Sequence, residues 1–279
     1  MTRAPTLTAH GATIPRIGLG TWPMKGEECS KAVVSALAAG YRHIDTAAMY
    51  GNEADVGAGI KAGGVPRDEI FVTTKVWWEN IGDGALQRSA EESLAKLGLS
   101  DVNLLLIHWP SKTIPLADSI RALNDAKRRG LARNIGISNF PTKLIDQAMQ
   151  LTKEPIVCNQ VEYHPHLDQT KVLAACRRHG LAVVAYCPLG RGNVGGVLEE
   201  PAVKAIAARL GRTAGQVVMR WHMQQPGVIA VPKSATPSRI AENLDVFGFE
   251  LSDADMAALS GLAKPNGRVV NLAFAPEWD

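Results

Sequence analysis

Short apolar runs alternate with longer amphipathic stretches from one end of the chain to the other. RIGLGT (16–21) leads into EECSKAVVSALAAG (27–40), and RHID (42–45) into EADVGAGIKAG (53–63). IFVTTK (70–75) leads into ALQRSAEESLAKLG (85–98), and VNLLLIHW (102–109) into SIRALNDAKRRG (119–130). ARNIGIS (132–138) precedes PTKLIDQAMQL (141–151), and IVCNQ (156–160) precedes QTKVLAACRRHG (169–180). LAVVAY (181–186) leads to two helical patterns, PAVKAIAARLG (201–211) and TAGQVVMRWHMQQ (213–225). GVIAVP (227–232) leads to PSRIAENLDVF (237–247).

The short runs are apolar without alternation, as expected of strands covered by protein on both faces. Gly40, Gly98, Gly130, Gly180 and Gly211 stand where helices would need a left-handed C-terminal residue. Eight strand–helix pairs with no Gly- or Pro-rich linker between them predict a single α/β domain, a (β/α)8 barrel over residues 1–279. The alternative is an open doubly wound sheet, marked by a G-x-G-x-x-G turn after the first strand. Only Gly18 and Gly20 are present there, so the dinucleotide fingerprint is missing.

Composition narrows the classes. The 279 residues match the length of such a barrel, and 46% apolar with 20% charged residues excludes a disordered chain. A net charge of +3 from scattered basic residues gives no nucleic-acid footprint. No run approaches the roughly 18 apolar residues of a membrane span, and the first residues lack a secretory apolar core. Cys29, Cys158, Cys176 and Cys187 form no paired spacing, which suits reduced thiols in a cytoplasmic protein. With no long apolar surface helix, the expected state is a monomer.

Barrel enzymes carry their chemistry at the C-terminal ends of the strands. Here those ends read Thr21 and Trp22, Asp45, Lys75, His108, Ser138 and Asn139, Gln160, Tyr186, and Lys233 with Ser234. That is more polar and titratable material than a structural rim requires. Asp45 is a natural counter-ion for Lys75, and an ammonium held there would lower the pKa of the Tyr50 phenol from about 10. Tyr50 then becomes a general acid for a developing alkoxide, with His108 able to hold a carbonyl oxygen. Without a strong nucleophile or a metal cage, the group suits carbonyl reduction by an external hydride. Each residue alone has a plainer use: a helix cap for Asp45, a surface ion pair for Lys75, a core histidine for His108.

The motifs GYRHIDTAAMYGNE, TTKVW, LLLIHWP, GISNF, NQVEYHP, AYCPLGRG and VPKSATPSRIAEN resemble those of the aldo-keto reductase family, in family order over nearly the whole chain. Within it, the GLGTW opening and LAFAPEWD ending are similar to bacterial 2,5-diketo-D-gluconate reductases of the B type, which also reduce methylglyoxal. The resemblance implies Tyr50 as proton donor, Lys75 and Asp45 as its tuning pair, and His108 as the group orienting the carbonyl. It implies that Ser138, Asn139 and Gln160 hold the nicotinamide carboxamide and that Tyr186 stacks on the ring. Thr21 belongs to the same cofactor surface, and Cys187, Pro188, Leu189, Gly190 and Arg191 would line the pyrophosphate. The family more often has serine at the Cys187 position.

The segment 232–243 supports the cofactor reading physically. Lys233, Ser234, Ala235, Thr236 and Arg239 place two cations and two hydroxyls around a helix entrance, a good site for a dianionic phosphate. In the family this segment, with Glu242 and Asn243, binds the 2′-phosphate and adenine, which implies NADPH. Trp22, Trp77 and Trp109 follow the first, third and fourth strands, and with Met49 and Trp78 they predict an apolar wall around a small carbonyl substrate. About 17 residues follow the last helical pattern (252–262), so the expected lid is short and the pocket open.

Three other readings compete. Glu162, His164 and His166 could line up as metal ligands, but Pro165 interrupts them and no other strand end completes the set, so no metal is expected. Lys75 could instead form a Schiff base, as in barrel aldolases. The third is a non-catalytic nucleotide-binding module of the same fold.

Overall fold

The computed structural model describes residues 4–190 and 196–279. A hairpin of β1 (Thr6–Ala9) and antiparallel β2 (Ala12–Pro15) comes first. Eight parallel strands then follow: β3 (Leu19–Gly20), β4 (His43–Asp45), β5 (Phe71–Val76), β6 (Val102–Ile107), β7 (Ala132–Ser138), β8 (Ile156–Glu162), β9 (Ala182–Tyr186) and β10 (Val228–Ala230). They pair in sequence order. A parallel bridge between Ile17 and Ala230 closes the ring, with Gly18 N–H donating to Ala230 O at 2.9 Å and Gly20 N–H to Pro232 O at 2.9 Å. This is the expected (β/α)8 barrel.

The crossover helices are α1 (Gly26–Ala39), α2 (Glu53–Ala62), α3 (Ala85–Leu97), α4 (Leu116–Arg128), α5 (Thr142–Leu151), α6 (Thr170–Arg178), α7 (Pro201–Leu210), α8 (Ala214–Gln224) and α9 (Pro237–Leu244), with α10 (Asp253–Ser260) after them. The five helix-ending glycines named above all have positive φ. α9 packs back against α1, and Tyr41 at the end of α1 donates its hydroxyl to Ile240 O at 3.0 Å, closing the outer layer as well.

The pleat explains why the strands read as continuously apolar. On β6, Val102, Leu105 and Ile107 join the large core shared with the helices, while Leu104 and Leu106 join a smaller core inside the barrel. Gly136 on β7 makes room for that inner core, since a Cβ there would lie 2.6 Å from Leu106 Cδ2 and 2.8 Å from Cys158 Sγ. The hairpin was not legible as strands. Its Ala9, Ala12 and Ile14 are buried in the inner core and plug the N-terminal end of the barrel.

The same alternation aims the polar strand ends. Phe71, Thr73 and Lys75 share one face of β5, and Phe71 belongs to the inner core, so Lys75 projects into the barrel at its opposite end. His43 and Asp45 share a face of β4, while Ile44 between them joins the outer core. Charge and amide groups are thus gathered at one mouth by strand parity alone.

Candidate active site

Lys75 is fully buried, and its Nζ donates to Asp45 Oδ1 at 2.5 Å and to Thr46 O at 2.9 Å. The other Asp45 oxygen accepts from Gln160 Nε2 at 2.8 Å. Asp45 therefore caps no helix; it is the counter-ion of a buried ammonium, and that pairing with further hydrogen bonds is what makes such burial tolerable. Burial works against the Lys75 charge, but Asp45 beside it and the Tyr50 hydroxyl more than offset this, so its pKa stands above the ordinary lysine value. An ammonium so held cannot serve as the neutral amine a Schiff base needs.

Tyr50 closes a 3₁₀ turn (Ala48–Tyr50) one short step beyond β4. Its hydroxyl lies 3.5 Å from Lys75 Nζ, and its ring packs against Trp22 at 5.2 Å and edge-on to His108 at 5.6 Å. Asn52, which the sequence reading passed over, fixes this loop. Its side chain donates to Thr21 O at 3.2 Å and Met24 O at 2.8 Å, and accepts from Thr46 Oγ1 at 2.8 Å. The loops that carry Trp22 and Tyr50 are thereby tied together.

The expected depression of the Tyr50 pKa is not what the structure shows. Burial pushes the phenol up, Lys75 pulls it down, and Asp45 adds to the upward push; the net direction is upward. Spacing reveals the cation but not the depth at which the phenol sits. The consequence is a hydroxyl that stays protonated at neutral pH, as a proton donor must. His108 lies just beyond β6, and burial followed by the Lys75 charge holds its pKa well below 6.5. Among the described residues its Nδ1 is buried without a hydrogen-bond partner, and the lowered pKa makes the ring a neutral imidazole near pH 7.

Across the mouth, Asn139 adopts φ +63°, and its amide donates to His108 O at 2.9 Å and Ser138 Oγ at 3.1 Å. Tyr186 donates its hydroxyl to Asn139 Oδ1 at 2.8 Å. Ser138, Asn139, Gln160 and Tyr186 thus form one polar ledge beside the Lys75–Asp45 pair. Thr21 is buried and donates its hydroxyl to Asp45 O at 3.0 Å, which ties it to the strand end that carries Asp45. After β9, Cys187 has φ +48° and Gly190 donates its N–H to Cys187 O at 2.8 Å, so Cys187, Pro188, Leu189 and Gly190 make a tight turn. Arg191, expected to extend that turn, lies outside the described residues.

At the start of α9, Thr236 makes no side-chain cap bond, and Arg239 is exposed with no ion-pair partner among the described residues. Among the described residues Lys233 has one ion-pair contact, Glu28 at 4.0 Å, and the buried Ser234 accepts from Thr236 N–H at 3.1 Å. Open helix-start amides beside two available cations fit a phosphate dianion. Glu242 accepts from Thr213 Oγ1 at 2.5 Å, and Asn243 is buried beside it. The donor set therefore fits a phosphorylated dinucleotide laid from this helix to the polar ledge.

Trp77 packs edge-on to His108 at 5.2 Å, Trp22 and Met49 are exposed beside Tyr50, and Trp78 and Trp109 complete the wall. The wall has a member that the sequence reading missed: Phe274, with ring centres 5.3 Å from Trp77, 5.3 Å from Trp78 and 5.6 Å from Trp109. The tail is short, as its length implies, and it returns across the mouth to set Phe274 against the three tryptophans. Glu162 and His164 turn out to bond each other at 2.9 Å, while His166 pairs with Glu200 at 2.6 Å. Among the described residues no group of three or more His, Cys, Asp or Glu side chains could hold a metal ion, and no helix is long and apolar enough to cross a membrane.

A barrel that joins a protonated phenol, a neutral imidazole and a helix start fit for a phosphate at one mouth has the groups that nucleotide-dependent carbonyl chemistry needs. Comparison with known proteins makes this specific. The aldo/keto reductase family pattern matches residues 16–264, and the chain belongs to that family, whose members are NADP-dependent oxidoreductases acting on carbonyls. It is 45% identical over 260 residues to an aldo-keto reductase of Mycolicibacterium paratuberculosis, covering 92% of this chain and 90% of that one. A crystal structure described as a candidate 2,5-diketo-D-gluconic acid reductase B superposes with a TM-score of 0.95 at 46% identity, covering 100% of this chain and 98% of that one. An aldo-keto reductase of Bombyx mori, solved in complex with NADP, gives a TM-score of 0.91 at 37% identity over 98% of this chain and 97% of its own.

Proposed function

We propose that this protein reduces a small aldehyde or ketone to the alcohol with NADPH, and that Tyr50 supplies the proton. The observation that carries the reading is the buried Lys75–Asp45 pair at 2.5 Å, with the Tyr50 hydroxyl 3.5 Å from the ammonium and the neutral His108 ring beside it. The nicotinamide supplies the hydride when bound. Tyr50 delivers its proton to the carbonyl oxygen, and Lys75 steadies the phenolate left behind. His108 holds the carbonyl oxygen from a second side. Ser138, Asn139 and Gln160 orient the carboxamide, Tyr186 supports the ring, and the Cys187–Arg191 turn lines the pyrophosphate. Lys233, Ser234, Ala235, Thr236 and Arg239 receive the 2′-phosphate, with Glu242 and Asn243 toward the adenine.

Trp22, Met49, Trp77, Trp78 and Trp109 form the substrate wall, which suits compact carbonyls with an apolar face. Candidates are methylglyoxal and, from the description of the 46% identical structure, 2,5-diketo-D-gluconate. The exposed large apolar residues are few, and Trp22 and Met49 among them sit at the mouth, which supports a monomer, and we place its action in the cytoplasm. Steady-state loss of NADPH absorbance with a panel of aldehydes, ketones and diketo acids tests the reading. A protein that neither quenches NADPH fluorescence on binding nor oxidises NADPH with any of them is not this enzyme.

A further inference from the structure

Glu162 ends β8 with a completely buried side chain, yet it faces neither Lys75 nor Tyr50 through any hydrogen bond. Its Oε1 accepts from Val269 N–H at 2.6 Å and His164 Nε2 at 2.9 Å, and its Oε2 accepts from Val270 N–H at 2.8 Å. A carboxylate is costly to bury unless donors satisfy it. Here two of the three donors are main-chain groups of a segment that has no helix or strand of its own.

That segment is a strap, and its path can be followed contact by contact. It is rooted where Lys264 N–H donates to His166 O at 3.0 Å, and where Gly267 runs so close that a Cβ would lie 1.7 Å from the same carbonyl. It is fixed at its far end by the Asp279 carboxylate, which accepts from Thr142 N–H at 2.9 Å and from the Thr142 hydroxyl at 2.5 Å. Between these ends it lays Phe274 against Trp77, Trp78 and Trp109, and Trp77 in turn abuts His108. Lys112 reaches Ala273 O at 3.4 Å, but that contact is exposed. Glu162 is therefore the buried polar anchor between root and wall.

We propose that Glu162 is a positioning residue for the carbonyl substrate: it seats the C-terminal strap and so sets the wall that Phe274 makes over the pocket. This rests on the reductase reading above. Glu162 touches neither substrate nor the reacting atoms; it acts through the main chain of Val269 and Val270. Charge-assisted bonds to a buried carboxylate are short and strong. Glu162→Gln keeps the shape but removes the charge and one acceptor, so the strap loosens, while burial, the larger cause of the raised Tyr186 pKa, still keeps that neighbouring hydroxyl protonated.

The test is a double-mutant cycle on the full chain with an aromatic aldehyde. Glu162→Gln is expected to raise KM about tenfold with kcat held within about twofold, the signature of lost uniform binding. Phe274→Ala is expected to raise KM comparably, and the double variant is expected to be no worse than Phe274→Ala alone. NADPH affinity should not move. Unchanged KM, a fall in kcat at constant KM, or additive effects in the double variant would each overturn the proposal. Should Glu162→Gln fail to fold, Val269→Pro removes one donor from the strap side, and the same KM-against-kcat split decides. Amide exchange reads the latch without turnover: Val269 and Val270 should be protected, and Glu162→Gln should speed their exchange at least about tenfold. Fast exchange in the unmodified protein refutes the latch. Absence of turnover with every carbonyl refutes the reductase reading, and the exchange result then still decides whether Glu162 holds the strap.

Discussion

Replacing Tyr50 by phenylalanine isolates the proton-transfer step, because the structure gives the hydroxyl almost nothing else to do. Its hydrogen bond to Lys75 Nζ is long, at 3.5 Å, and at the limit of useful geometry. Losing that bond should cost folding no more than about 0.5 kcal/mol, well below a typical buried bond. The ring contacts to Trp22 at 5.2 Å and His108 at 5.6 Å survive the change. Thermal midpoint should therefore move by no more than about 2 °C. A positioned general acid contributes roughly 10²- to 10⁴-fold, which at 1.36 kcal/mol per tenfold is about 3–5 kcal/mol of barrier. Steady-state kcat with NADPH should fall by that factor, while NADPH binding, followed by fluorescence, stays within about twofold of the unmodified protein. A variant that keeps kcat within about tenfold would refute the assignment, since among the described residues no second hydroxyl is hydrogen-bonded to Lys75.

Asp45→Asn leaves Lys75 as a buried ammonium without its counter-ion and should cost about 3–5 kcal/mol in urea unfolding; a loss under about 1 kcal/mol would contradict the pairing. Burial holds His43 down to about 4 and His222 down to about 3, so both remain neutral in the folded chain while the unfolded chain protonates near 6.5. The unfolded state then binds more protons, and stability should fall as pH drops from 6.5 toward 4, His43 alone accounting for about 3 kcal/mol; flat urea midpoints over that window would refute it. The Lys233→Ala/Arg239→Ala double variant should weaken NADPH about a hundredfold or more through lost charge-assisted bonds and leave NADH nearly unchanged in fluorescence titrations. An unaltered ratio of the two affinities would sink the phosphate assignment.

The barrel and most of its mouth were readable because strand ends are local. Asp45, Lys75, His108, Ser138, Gln160 and Tyr186 each close or follow an apolar run, and the fold turns that serial position into a shared location. Three things escaped for physical reasons. The phenol's upward pKa depends on burial depth, which spacing does not encode. Phe274 and Trp278 sit in a segment with no period, and their contacts with Trp109 exist only because the tail turns back across the mouth. Glu162 and His164 look like ligands in a line; what decides their use is the Val269 and Val270 amides, more than a hundred residues away in sequence. The hairpin was missed for a similar reason, since four-residue strands carry too few positions for an alternation to stand out.

The hairpin also divides the molecule's labour. By filling the barrel's floor with Ala9, Ala12 and Ile14, it closes that end to the proposed chemistry, whose polar groups lie at the opposite end. The turn at its tip, His10–Gly11, is exposed, and among the described residues His10 Nε2 and His179 O make its side-chain hydrogen bond to the rest at 2.8 Å. A label, a surface tether or an inserted peptide at that turn would sit at the sealed pole, where it can be changed freely while the opposite pole keeps its geometry.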